Sequence, residues 1–173
     1  MSRTVQVTRT YLELKEPGQL VPFRLDDPLL RFARVPVPSV PLAQRLYKEI
    51  GAPYHWIDRW TWSAAEWQSY VGEFGYGIWI LTWDGELSGF AEMKNEADGS
   101  VEITLFGLVE KFQGRGLGKH LLTLSVETAW GIGANRVWLH TCTLDGPAAL
   151  PNYLARGFVA YRTEEYQAEL AES

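Results

Sequence analysis

Cysteine is almost missing from this 173-residue chain. Cys142 stands alone, so no intrachain disulfide can hold the fold, and a reducing, cytoplasmic compartment is the expectation. Histidine is scarce too, with three scattered copies. Only His140 and Cys142 share a strand face, a pairing more typical of a core than of ligands, so no metal is expected. Lys and Arg form no run and the net charge is −5, which disfavours a nucleic-acid partner and mildly suits a cationic one. No apolar run is long enough to span a bilayer. The opening MSRTVQVTRTYLEL is polar and lacks the apolar stretch of a secretory signal, so no membrane association is expected.

What is present is a core-forming composition. Hydrophobic residues make up 46% and charged residues 21%, which argues against disorder and for one domain over 1–173. Eight Trp and eight Tyr are many for this length, and their NH and OH groups need partners when buried, so some should line a surface or pocket. There is no internal repeat. Val5 to Leu14 and Leu30 to Val37 read as strands, separated by Pro17-Gly18 and followed by prolines. Residues 1–38 are too short to bury a core of their own and read as an N-terminal β extension. Pro41 to Ile50 is helical by the spacing of Leu42, Leu46 and Ile50, and Ser63 with Glu66 forms a capping box for a second helix. Strands follow at 78–83, 87–93 and 101–109. A helix after residue 118, a strand at 136–142, a short helical segment carrying Tyr153 and one or two closing strands complete the chain. The strand–helix–strand unit over 101–142 implies two parallel neighbours in a mixed α/β sheet.

Between the third of these strands and its helix lies Gln113-Gly114-Arg115-Gly116-Leu117-Gly118. Three glycines allow a tight turn and close approach of backbone NH groups, and the helix start adds a field that favours an anion such as pyrophosphate. A Walker A loop does not fit, because only three residues separate Gly114 from Gly118-Lys119 and His120 follows. A dinucleotide fingerprint does not fit either, because the spacing is GxGxG after an antiparallel pattern. The loop resembles motif A of the GNAT N-acetyltransferases, Gln/Arg-x-x-Gly-x-Gly/Ala, with Gln113, Gly116 and Gly118 at its fixed positions. NYLARGF, residues 152–158, resembles the family's later motif, in which Tyr stands four before Gly-Phe. The two lie about 40 residues apart in the order the family uses.

That resemblance implies an α/β (α+β) fold, a mixed, mostly antiparallel twisted sheet flanked by helices, with an acetyl-CoA-binding core over 76–160. It implies that backbone NH groups of Gly114, Arg115, Gly116, Leu117, Gly118 and Lys119 hold the coenzyme A pyrophosphate beside Gln113. The side chains of Arg115 and Lys119 either meet phosphates or are solvated. Leu108 and Val109 pair with the pantetheine arm, and Gly107 marks either a close backbone approach there or relief of packing. The family often carries Asn several residues before its tyrosine. Here the stretch is LDGPAALPNY, so Asp145 is nearest in chemistry, while Asn152 is the candidate next to the tyrosine. Pro151 is expected to disturb that helix and the aim of Tyr153.

Acetyl transfer to an amine needs a proton removed from the ammonium, a polarised carbonyl and a proton for the departing thiolate. Tyr153 sits at the family's tyrosine position and is the candidate donor, the alternative being a ring packed on the sheet. Glu102, eleven positions before Gln113, resembles the catalytic glutamate of the histone acetyltransferase branch. It points opposite to Val101 and Ile103 and is the candidate base, the alternative being a solvent-facing carboxylate. Glu92, or water alone, is the substitute. The ring-rich loop with Tyr54, His55, Trp56, Asp58 and Trp60 is expected to border the acceptor, where aromatic faces and Asp58 could hold an ammonium. Its rings equally suit helix packing or a homodimer contact. The expected function is acetyl-CoA-dependent N-acetyl transfer to a small-molecule or peptide amine by direct attack in a ternary complex. The alternatives are a non-catalytic acyl-CoA-binding or regulatory module, or an O- or longer-chain acyltransferase. Cys142 is expected to lie away from the loop, leaving no thiol for a covalent intermediate.

Overall fold

Runs of alternating apolar residues become strands that share one sheet, as described by a computed structural model of residues 1–171. The elements are β1 (Ser2–Leu14), β2 (Leu30–Arg34), α1 (Val40–Gly51), α2 (Ala64–Val71), β3 (Tyr76–Trp83), β4 (Glu86–Asn95) and β5 (Ser100–Leu108). They are followed by α3 (Leu117–Gly131), β6 (Arg136–Cys142), α4 (Ala149–Ala155) and β7 (Val159–Ala171). The strand order is β2-β3-β4-β5-β6-β1-β7. Every neighbouring pair is antiparallel except β5 and β6, the pair joined through α3.

The N-terminal β extension is built into the sheet. β1 lies inside the sheet, pairing with β6 over Arg9–Leu14 and with β7 over Ser2–Glu13. Leu12 and Leu14 are fully buried with Leu122, Val126 and Leu139 in the core under α3. Each such side chain contributes roughly 1.5–3 kcal/mol. On the opposite face α1 and α2 pack Leu46, Ile50 and Trp67 against Ile78 and Phe90. Both helices start at serine caps: Ser39 accepts from the Leu42 amide at 3.2 Å and Ser63 from the Glu66 amide at 3.1 Å. A single closing strand, β7, ends the described chain. No described helix is long and apolar enough to cross a membrane.

Pro151 does not disturb α4. The helix starts at Ala149, so Pro151 falls in the first turn, where its missing N–H would have had no partner within the helix. The following bonds are intact, from the Asn152 amide to the Ala148 carbonyl at 3.1 Å and from the Arg156 amide to the Asn152 carbonyl at 3.0 Å.

Candidate active site

The site begins with a failure of two strands to stay together. β5 and β6 pair only over Ser100–Glu102 and Arg136–Trp138. Beyond Glu102 they diverge, while β5 stays paired with β4 up to Leu108. A register shift next to Glu92 leaves Thr104 as an extra residue, and its hydroxyl bonds the Glu92 side chain at 2.7 Å. Such a bulge bends its strand, which accounts for the opening. The result is a cavity of about 800 Å³ that passes through the sheet, from the glycine turn and α4 on one side to the aromatic loop on the other.

Strand alternation decides which backbone groups face the opening. The Val109 amide donates to the Ser88 carbonyl at 2.8 Å, so Val109 is turned toward β4 and its N–H is engaged. Leu108 and Phe106, one position out of phase, turn their backbone groups to the open edge. Of the two residues expected to pair with a pantetheine arm, Leu108 therefore has a free edge and Val109 does not. Gly107 relieves packing: a Cβ there would stand 2.8 Å from Ile50 of α1.

At one end of the cavity the turn before α3 contributes Gln113, Gly114, Gly116, Gly118 and Lys119. Gly114 and Gly116 have φ of 78° and 79°, which L side chains rarely adopt. The side chain of Arg115 leaves this wall and lies over Trp83 and Phe112, beside a smaller cavity that also holds Asp26 and Asp27. Leu117 is buried in the core. Gln113 donates to the Tyr54 hydroxyl, joining the glycine turn to the aromatic loop. From α4, Asn152 and Arg156 reach the same wall. The Asn152 Oδ1 and the Arg156 Nε and Nη1 are buried without a hydrogen-bond partner among the described residues, and Arg156 is only 8% exposed. Buried donors and acceptors of this kind are ordinarily paired. Residues 20–25 strap across this end. Val21 donates to the Arg156 carbonyl at 2.8 Å, Phe23 to Thr123 Oγ1 at 3.0 Å and Leu25 to His120 Nδ1 at 3.0 Å.

Tyr153 lines the middle of the cavity, its ring edge-on to Phe106 and Phe158 at 6.1 Å. Burial pushes its phenol far up, so it stays protonated, and its hydroxyl makes no hydrogen bond among the described residues. Glu102 stands where β5 and β6 separate and lines the cavity, while Val101 and Ile103 are buried in the core with α3, Ile103 also reaching the cavity wall. Desolvation first, and the nearby Glu96 second, raise its carboxyl to about 7. Its Oε1 lies 3.9 Å from His140 Nε2. Burial and then Arg9 hold that imidazole below its ordinary pKa, so the contact is not an ion pair at neutral pH.

Glu92, the substitute base, is occupied. It is 1% exposed and takes bonds from Arg59 at 2.6 and 3.1 Å, Tyr70 at 3.2 Å, Tyr76 at 2.8 Å and Thr104 at 2.7 Å. That network ties α2 and the aromatic loop to the sheet.

Tyr54, His55, Trp56 and Asp58 of the aromatic loop also line the cavity, with Tyr54 in contact with Gln113 of the glycine turn. Trp60 does not line it: the residue is 57% exposed and its indole N–H donates to the Trp56 carbonyl at 2.6 Å. The cavity also reaches Cys142, but burial and Asp145 raise the thiol pKa and keep it protonated. Asp145 accepts from the Thr141 hydroxyl and the Cys142 amide, which closes the turn after β6. Arg9, Arg156 and Tyr166 also line the cavity and were not singled out by sequence, while His140 was read as core. Arg156 had one available signal, its place directly before Gly157-Phe158. Arg9 and Tyr166 had none, because only the pairing of β1 with β6 and β7 brings them in. Among the described residues no group of three His, Cys, Asp or Glu side chains could hold a metal.

Comparison with known proteins accords with this geometry. The chain is 38% identical over 90 residues to a mycothiol acetyltransferase of Corynebacterium efficiens, across 51% of this chain and 30% of that protein. Its fold matches a GCN5-related N-acetyltransferase from Kribbella flavida with a TM-score of 0.66 at 20% identity, over 98% of this chain and 61% of that one. It also matches one from Sphaerobacter thermophilus with a TM-score of 0.70 at 16% identity, over 97% and 53%. The chain thus spans about a third of that curated relative and little more than half of these solved structures. The model of the acetyltransferase (GNAT) family matches residues 43–158, from α1 through α4, and the chain belongs to that family.

Proposed function

We propose that the chain is an acetyl-CoA-dependent N-acetyltransferase in which an amine attacks the thioester directly in a ternary complex. The observation that carries this reading is the continuity of the cavity. One slot joins orphaned Asn152 and Arg156 beside the glycine turn to a raised, cavity-facing Glu102. Acetyl-CoA is the co-substrate the family generally uses. Its pyrophosphate suits the amides of the turn before α3 together with Lys119 and Arg156, and its pantetheine amides suit the free edge of Leu108 and Asn152.

Glu102 takes a proton from the incoming ammonium, directly or through one water, which frees the nitrogen lone pair. The amine nitrogen bonds to the thioester carbon and the carbon–sulfur bond breaks. The sulfur takes the Tyr153 proton, and the resulting phenolate takes the second proton from the former amine nitrogen, directly or through water, leaving an N-acetyl amide and a free thiol. Glu102 then releases its proton to solvent. A neutral buried phenol suits this donation, and a carboxyl near 7 suits proton abstraction at neutral pH. The protonated Cys142 supports direct transfer over a thioacyl intermediate.

Acetyl-CoA should raise the melting temperature, and thiol should be released when an amine panel is added. Gly116→Val forces a β-branched residue into a positive φ and narrows the turn. A folded Gly116→Val variant should lose the thermal shift. Retention of the full shift would remove the turn from the cofactor site. Binding without turnover on any amine would place the chain with non-catalytic CoA binders.

A further inference from the structure

The acceptor half of the cavity contains two guanidinium groups in opposite states. Arg59 is neutralised by Glu92 through two bonds. Arg9 has no carboxylate within ion-pair distance. It stands on β1 within the cavity wall, opposite Cys142 of β6 and opposite Glu164 of β7, whose carboxylate feels its charge without bonding it. Its guanidinium lies over the Tyr166 ring at 5.0 Å, and its polar neighbours are phenols, Tyr166, whose hydroxyl it meets at a long 3.4 Å, and Tyr11. Its Nε is buried without a hydrogen-bond partner, and it enters no ion pair among the described residues. A guanidinium on a cavity wall with no carboxylate within ion-pair distance suits an anion from the ligand.

The surroundings limit which anion. Glu102, Asp58 and Asp145 line the same half, so a dianion such as a phosphate monoester would meet three carboxylates. A purely cationic polyamine would leave Arg9 unpaired and repelled. A zwitterion satisfies both signs. His140 sits between the poles: it is 3.9 Å from Glu102 on one side, and the Arg9 charge holds its pKa down on the other.

Resting on the N-acetyl transfer reading, the geometry points to an acceptor of amino-acid type. Arg9 receives its carboxylate, Glu102 faces its amine and the Tyr54 and Trp56 rings flank its side chain. Arg9 is thereby a specificity-determining residue, outside the family match at residues 43–158.

The test pairs L-amino acids with their carboxamides as acceptors, with thiol release as the readout. The carboxamides carry the less basic amines, so free-amine supply favours them and cannot mimic a preference for the acid. Wild type should prefer the acids by about tenfold or more in kcat/KM. Arg9→Gln should lower kcat/KM for the acids by about 10- to 100-fold, chiefly through KM, and leave the carboxamides and the KM for acetyl-CoA unchanged. Arg9→Lys should restore part of the preference. Equal use of acid and carboxamide by wild type, or preference for polyamines, would overturn the inference and leave N-acetyl transfer standing. So would an equal loss on both members of a pair in Arg9→Gln. The wild-type comparison decides the matter even where a variant fails to fold. Thiol release with no amine at all would remove N-acetyl transfer and this inference with it.

Discussion

Glu92 on β4 and Glu102 on β5 lie on neighbouring strands, and their environments are opposite. Glu92 is wrapped by Arg59, Tyr70, Tyr76 and Thr104. Glu102 has no cation within ion-pair distance, stands where two strands part and is raised to about 7 by desolvation and then by its neighbour Glu96. The same contrast separates Arg59 from Arg9 and Arg156, and the Tyr76 hydroxyl from that of Tyr153. Charges that close a network hold the fold, while charges left open at a cavity await a ligand. Removing a member of the first set should cost stability, and removing one of the second should cost rate or binding.

The largest effect is expected in the closed network. Glu92→Ala leaves Arg59 buried without its counter-charge, and denaturant unfolding should show a loss of about 3–5 kcal/mol. A cost below about 1 kcal/mol would mean that Arg59 finds water or another partner, and the contrast would fail on its structural side.

The two phenols offer the next comparison. Tyr153→Phe should lower kcat about 10²-fold with little change in stability or in the KM for acetyl-CoA, because its hydroxyl supports nothing in the described fold. Tyr76→Phe should do the reverse, costing about 1–3 kcal/mol through the bond lost to Glu92. If Tyr153→Phe is fully active, its ring merely packs against Phe106 and Phe158.

The smallest and most specific effect belongs to Glu102. Wild-type rate should rise with pH through about 7. Glu102→Gln should slow turnover near neutral pH, about tenfold or more, with partial recovery as rising pH supplies free amine. Stability should move the other way. The folded-state carboxyl, near 7, binds its proton more tightly than the ordinary value of 4.5, so wild type loses stability as pH rises between those values. Above pH 7 the loss is complete, up to roughly 3 kcal/mol, and Glu102→Gln should regain part of it while matching wild type below pH 4. Superimposable pH–rate profiles would assign the proton to water. Equal melting curves at pH 8 would show that Glu102 is not desolvated.

Much of this arrangement is legible without coordinates. Helix and strand positions follow from apolar spacing, and β6 begins and ends at the expected residues, Arg136 and Cys142. The glycine turn is legible because positive φ needs glycine, and Tyr153 because it belongs to a spaced motif. Glu102 is legible in direction because alternation sets it opposite Val101 and Ile103. Val109 is less so. Its backbone engagement depends on the β4 register, which a bulge at Thr104 shifts. Trp60 and the Arg115 side chain have suitable chemistry and turn elsewhere, since neighbouring rings and loop geometry set their direction.

By itself the sequence determined the local geometry. It set the turn that only glycines can make before α3, the serine-capped helices, the alternation that aims Glu102, and the motif order that marks the family. These depend on residues close together in the chain, where sterics and hydrogen bonding act directly. Only the tertiary structure decided which charges are closed and which are open. Arg59 and Glu92 are 33 positions apart, and Arg9 lies far from His140 and Tyr166 in the chain. Whether such groups meet depends on strand order and on where β5 and β6 separate. The placement of β1 between β6 and β7 is a long-range packing outcome, driven by burial of Leu12 and Leu14 under α3 rather than by any local preference of residues 2–14.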